Sequence, residues 1–130
     1  TSMQNALSIL KNINPAKPRR KVFICGQMNE LGPDSHHYHK KLGLHIAETN
    51  LDLLLTVGPL AKISAQTARK QNKTGLKIKS FPDTLSLCNN LENLIEHTDI
   101  ILIKASRSAK LELALKKLKL LFDYDQQVEN

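Results

Sequence analysis

Leu51-Asp-Leu-Leu-Leu-Thr-Val57, stopped by Gly58 and Pro59, is the stretch that decides the fold. A near-continuous apolar run of this length marks a strand covered on both faces, as in a parallel sheet packed between helices. On its carboxyl side, Pro59 opens a helix to about Gln71 through Leu60, Ile63, Ala65 and Ala68, with proline at the first helical position. On its amino side, Ser35 to Asn50 carries Leu42, Ile46 and Ala47 at helical spacing.

Outward from this centre the period keeps alternating. Lys21-Val-Phe-Ile-Cys25 is a short β-rich run ending at Gly26, and Leu76 to Phe81 is a weaker one. Asp83 starts a helix through Leu85, Leu87, Leu91 and Leu94, Asp99 to Lys104 is a fourth strand, and Ser108 begins a Leu-rich helix to Phe122. At the front, Ser2 caps a helix from Met3 to about Lys11, followed by a loop from Asn12 to Arg20 that holds Pro15 and Pro18. Strands alternating with helices imply parallel pairing through right-handed crossovers. The expected architecture is α/β, a three-layer Rossmann-like domain with a mainly parallel sheet and helices on both faces. It spans residues 1–122, with 123–130 as a polar tail.

The bulk numbers agree with one domain. The chain has 130 residues, 41% of them apolar and only 4% aromatic, so the core is built from Leu, Ile, Val and Ala. No apolar run approaches the ~18 residues that span a membrane, and no signal peptide is visible, so the expected location is cytoplasmic. Cys25 and Cys88 read as small hydrophobes in a reducing compartment. The first residue is Thr and a helix follows at once, which suggests a fragment whose other motifs lie upstream. The net charge of +7 fits a phosphorylated ligand, nucleic acid, an anionic membrane surface or a solvated basic face.

In an open parallel sheet, ligands bind beyond the carboxyl ends of the strands, near the point where strand order reverses. Three segments fall there: Gly26 to Gly32, Gly58-Pro59, and Ala105 to Ser108. Lys104-Ala-Ser-Arg-Ser108 combines two cations and two hydroxyls with the expected start of the last helix, an arrangement suited to an anion. Arg107 offers a two-pronged donor for carboxylate or phosphate. The competing reading is that Ser106 or Ser108 caps the helix and Arg107 is a solvated charge. His36, His37, His39 and His45 crowd one helix without further ligands in a metal pattern, so no metal site is expected. The chain holds no G-x-x-x-x-G-K-S/T loop and no G-x-G-x-x-G turn, which excludes a complete triphosphate cradle and a standard dinucleotide site.

Four motifs in register resemble the Mur ligase family, in its D-alanyl-D-alanine-adding branch. Gly26-Gln-Met-Asn-Glu-Leu-Gly32 with Ser35, His39 and Gly43 resembles the family's G-D-M-x-E-L-G…S-x-x-x-H-x-x-x-G. Leu53 to Gly58, Phe81-Pro82-Asp83 and Lys104-Ala-Ser-Arg-Ser-Ala-Lys-Leu-Glu112 match in order, and Thr1-Ser2-Met3 fits the segment that opens the family's third, carboxy-terminal domain. The resemblance implies a ligase of peptidoglycan precursor synthesis that adds D-alanyl-D-alanine to UDP-N-acetylmuramoyl-tripeptide through an acyl phosphate. ATP and Mg2+ would be bound mainly by a central domain, and this domain would close over them and over the incoming amino component. It is not expected to work alone, and no catalytic group is assigned within it. By motif match, Lys104, Ser106, Arg107 and Ser108 would face the incoming carboxylate or the transferring phosphate, with Asn29, Glu30 and His39 lining the same cleft. Gln27 stands where the family has Asp, and Ala105 where it has Gly. The alternative is a basic nucleic-acid-binding module using Lys17, Arg19, Arg20, Lys116, Lys117 and Lys119, though no aromatic platform for bases accompanies them.

Overall fold

The computed structural model describes residues 2–71, 75–106 and 109–122, the side chains of residue 2 and residues 29–31 excepted. Its elements are α1 (Ser2–Asn12), β1 (Lys21–Gly26), a 3₁₀ segment (Asn29–Asp34), α2 (Ser35–Ala47), β2 (Leu53–Val57), α3 (Pro59–Gln71), β3 (Lys77–Phe81), α4 (Thr84–Leu94), β4 (Ile100–Lys104) and α5 (Glu112–Phe122). The four strands form one parallel sheet in the order β3-β2-β1-β4.

That order explains the layers. From β1 through β2 to β3 the chain steps in one direction, so right-handed crossovers put α2 and α3 on the same face. The connection from β3 to β4 steps back past β2 and β1, and α4 falls on the opposite face. The core splits accordingly. On one face Phe23, Cys25 and Leu54 meet Met3, Leu7 and Leu10 of α1, Leu42 and Ile46 of α2, and Ala65 and Ala68 of α3. On the other, Val22, Ile24, Leu53, Leu55 and Val57 meet Leu87, Leu91, Leu111, Ala114 and Leu118. Successive residues of β1 and β2 thus feed opposite cores, which is why their sequences are apolar without alternation. Each such leucine contributes about 1.5–3 kcal/mol.

The edges behave differently. On β3, Lys77 and Lys79 are exposed, and charge on an edge strand discourages pairing with another chain. All five residues of β4 are half-buried. The amino ends of β1 and β4 are locked by Arg20, whose guanidinium donates to both carboxylate oxygens of Asp99 at 2.9 and 2.7 Å and to the Leu94 carbonyl at 2.9 Å.

Most element ends fall within two residues of the sequence reading, with Ser2 inside α1 rather than capping it and β2 beginning at Leu53 rather than Leu51; three further differences have a local reason. α2 stops at Ala47 because Thr49 Oγ1 turns back to the His45 carbonyl and Asn50 adopts φ 35°. The glycine-marked segment after β1 is two 3₁₀ turns meeting at Gly32 (φ 58°, ψ −133°), too short to leave a periodic signal. The last helix starts at Glu112, not Ser108, because Lys110 at φ 55° is left-handed and interrupts it. Residues 123–130 lie outside the described residues.

Candidate functional site

The strand order reverses between β1 and β4, and the loops after these two strands stand where an open parallel sheet binds its ligands. Gly26 lets them approach: a Cβ there would come within 2.4 Å of the Ala105 methyl and 3.1 Å of Leu111. The methyl that Ala105 carries therefore lies over a residue that has none. Beyond this contact, Ser106 donates to the Gln27 carbonyl twice, from its hydroxyl at 2.9 Å and its backbone N–H at 3.4 Å. Thr84, at the start of α4, donates its hydroxyl to the Ala109 carbonyl and holds the far side of the β4 loop.

The side chain of Gln27 reaches the third strand end. Its Oε1 accepts the Leu60 N–H at 3.0 Å, in the first turn of α3. Asp83 does a similar service for α4 by accepting the Ser86 N–H at 2.8 Å, and that bond holds its carboxyl below the usual range. The rim of the sheet is thus cross-linked from α3 through Gln27 and Ser106 to Ala109 and α4.

Ser35, His39 and Gly43 sit four residues apart on one face of α2, and all three are buried. Gly43 lets α2 press onto α3, since a Cβ there would lie 2.6 Å from both the Ser64 carbonyl oxygen and Thr67 Cβ. His39 is 0% exposed. Its Nε2 accepts the Met28 N–H at 3.1 Å, so the proton sits on Nδ1 and is donated to Ser64 Oγ at 3.3 Å. Ser64 Oγ in turn donates to the His39 carbonyl at 2.6 Å. His39 therefore acts as a buried brace for the loop after β1, with both ring nitrogens engaged by protein.

Burial pushes the His39 pKa down from 6.5. The neutral ring is what the fold holds, so its contribution to stability is present above about pH 6.5 and is lost as pH falls, when the unfolded chain takes the proton first. Thermal melts between about pH 7.5 and 5 should show the melting temperature falling with acid. A His39→Gln chain should show a shallower slope across the same range, and equal slopes would refute the assignment.

The remaining expected site residues separate as follows. Lys104 ends β4, half-buried and in register with Cys25. Ser106 is buried and turned into the loop junction. Asn29 and Glu30 begin the 3₁₀ segment after β1, with their side chains outside the described residues, as are Arg107 and Ser108 altogether. The helix start expected at Ser108 is found at Glu112, an acidic residue in the first turn of α5. Gln27 and Thr84 were not among the expected site residues. The signal for Gln27 was available: it is the first polar residue beyond a strand marked by glycine.

Both cysteines are free thiols. Cys25 is enclosed in the core and its pKa is pushed up to about 12, which makes it inert. Among the described residues no cluster of three or more His, Cys, Asp or Glu side chains is placed to hold a metal ion. No described helix is long and apolar enough to cross a membrane. Of the cations considered for nucleic acid, Arg20 is committed to Asp99, and nothing in the geometry adds to that reading.

Residues 1–107 match the family described as Mur ligase, glutamate ligase domain. The chain is 34% identical over 119 residues to the UDP-N-acetylmuramoyl-tripeptide–D-alanyl-D-alanine ligase of Buchnera aphidicola subsp. Baizongia pistaciae, covering 90% of this chain and 24% of that protein. It is 29% identical over 118 residues to the Bacillus subtilis ligase of the same name, covering 91% and 25%. A crystal structure of MurF from Acinetobacter baumannii superposes with a TM-score of 0.70 at 28% identity, covering 95% of this chain and 26% of that one. MurF from Thermotoga maritima, in complex with ADP, shares the fold with a TM-score of 0.65 at 24% identity. The chain spans about a quarter of the length of the relatives it matches.

Proposed function

The chain belongs to the Mur ligase family as its glutamate ligase domain, and from that premise we propose that residues 1–122 are the closing, substrate-binding domain of a cytoplasmic D-alanyl-D-alanine-adding ligase. The observation that carries this reading is the junction of the β1 and β4 loops at the strand-order reversal, where Lys104 ends β4 and Ser106 bonds to Gln27. The amino component would be D-alanyl-D-alanine, and its acceptor UDP-N-acetylmuramoyl-tripeptide, with ATP activating the acceptor's carboxyl group.

The residues of this chain do not fit a triphosphate: there is no G-x-x-x-x-G-K-S/T loop to cradle it. ATP and Mg2+ would accordingly be held by a central domain, and no step is assigned to them here. What this chain supplies is positioning. Lys104, with Arg107 and Ser108 beyond it in sequence, offers donors to the terminal carboxylate of the dipeptide. Ser106 holds the loop that carries them, and His39 holds the facing loop with Asn29 and Glu30. Fixing the carboxylate end of a dipeptide aims its amine, and closure keeps water from the activated acceptor.

The test uses the full enzyme that contains this domain. Ligation of D-alanyl-D-alanine to UDP-N-acetylmuramoyl-tripeptide is followed by ADP release and product mass. Arg107→Ala is expected to lower kcat/KM about 10–100-fold, chiefly through KM for the dipeptide, as expected for losing hydrogen bonds to a charged group. The 130-residue chain alone should give no ligation. Should the full enzyme join a different amino component and refuse D-alanyl-D-alanine, the substrate assignment fails.

A further inference from the structure

Gln27 joins three strand ends through two oxygens. It follows directly on β1, and its backbone carbonyl accepts both Ser106 donors, at 2.9 Å from the hydroxyl and 3.4 Å from the N–H. Its side-chain Oε1 accepts the Leu60 N–H at 3.0 Å. Pro59, the first residue of α3, has no N–H, so Leu60 carries the first donor of that helix, and Gln27 takes it. The carboxamide lies where it does because residue 58 is glycine. A Cβ at Gly58 would come within 2.5 Å of Gln27 Oε1 and 2.9 Å of its Cδ, and Gly58 holds φ 94°. Glycine and glutamine are thus matched across two loops: one supplies the space, the other fills it.

We infer that Gln27 is a positioning residue, which locks the Ser106 loop to the start of α3. Anchoring the carboxamide on α3 pins the peptide unit of the same residue, and that peptide carbonyl is the acceptor that Ser106 needs. Ser106, which follows β4, is then held in one place before any ligand arrives, so less ordering is left to be done on binding. The lock stands on the geometry alone. Its effect on the amino component rests on the function proposed above.

Amide hydrogen exchange followed by NMR on the 130-residue chain tests the lock, with Gln27→Leu removing the acceptor and Gln27→Glu keeping one. In Gln27→Leu the Leu60 and Ser106 amides should both exchange about tenfold faster, the worth of one net hydrogen bond, while Phe23 and Leu54 in the sheet are unchanged. Gln27→Glu should keep both protected. If Leu60 quickens without Ser106, or if Gln27→Glu behaves like Gln27→Leu, the positioning role is overturned. Should Gln27→Leu not fold, Gln27→Asn, one methylene shorter, must show the same paired quickening, and its absence overturns the role equally. In the full enzyme, Gln27→Leu should raise KM for the amino component about tenfold with kcat little changed, and combining it with Ser106→Ala should add nothing further. An unchanged KM alongside paired quickening overturns the effect on substrate. A wild-type enzyme that does not ligate is instead a failure of the proposed function, and the amides still decide the lock.

Discussion

Asp99→Ala is expected to cost about 3 kcal/mol of folding free energy, the lower end of the ~3–5 kcal/mol found when one partner of a buried ion pair is removed. The Asp99 side chain is fully enclosed, whereas Arg20 keeps 32% of its side chain exposed. The cation left behind is therefore partly hydrated, which places the effect at the lower end. Asp99 also accepts the Glu96 N–H at 2.8 Å, so its loss releases the turn that leads into β4 as well as Arg20. The Arg20 pKa is raised, first by its hydrogen bond to Asp99 and against desolvation, so the guanidinium stays charged. Urea denaturation should show the midpoint falling with little change in slope, and the melting temperature should drop by roughly 10 °C. The double change Arg20→Met with Asp99→Leu should recover much of the loss, because an apolar pair needs no mutual charge compensation. A single variant within about 0.5 kcal/mol of wild type would mean that the lock contributes nothing.

Gly43→Leu is expected to destabilise the chain by at least the ~1–3 kcal/mol typical of an overpacked core. The first added carbon already lies 2.6 Å from the Ser64 carbonyl oxygen, which is backbone, so no rotamer change relieves it. Gly43→Ala should lose less, because alanine's better helix propensity returns about 1 kcal/mol. Adding Thr67→Ala should not restore Gly43→Leu, since the Ser64 oxygen and the Cβ of residue 67 both remain. Moving α2 off α3 would also disturb the His39–Ser64 contact, so the Met28 amide should exchange faster in Gly43→Leu even where the protein stays folded. Wild-type stability together with an unchanged Met28 amide would refute the close-packing role.

The candidate site was only partly legible before folding. Ser35, His39 and Gly43 carry a spacing of four, which identifies one helix face but not what the face meets. His39 and Gly43 meet α3, as a loop brace and a close-packing point, and Ser35 is buried on the same face. Gln27 was visible as a departure from the family pattern, yet its partner Leu60 is 33 residues away and is contacted through a backbone donor that no side-chain motif records. The start of the last helix was misplaced because the sequence from Ser108 onward keeps a helical pattern, while the left-handed Lys110 that delays it is set by the loop's attachment to Thr84 and Ser106.

Hydrophobic period and turn chemistry determined by themselves that the Leu51 to Val57 run holds a two-sided strand, that strands and helices alternate around it, and that polar residues gather at the strand ends. These are local properties, legible because each side chain's burial repeats with the geometry of its own element. Strand order was decided only by the tertiary structure, and with it the meeting of the β1 and β4 loops, the enclosure of Asp99, and the closure of Gln27 onto α3. Each of those depends on contacts between residues 24 to 79 positions apart, and no local period encodes which distant backbone group will arrive beside a side chain.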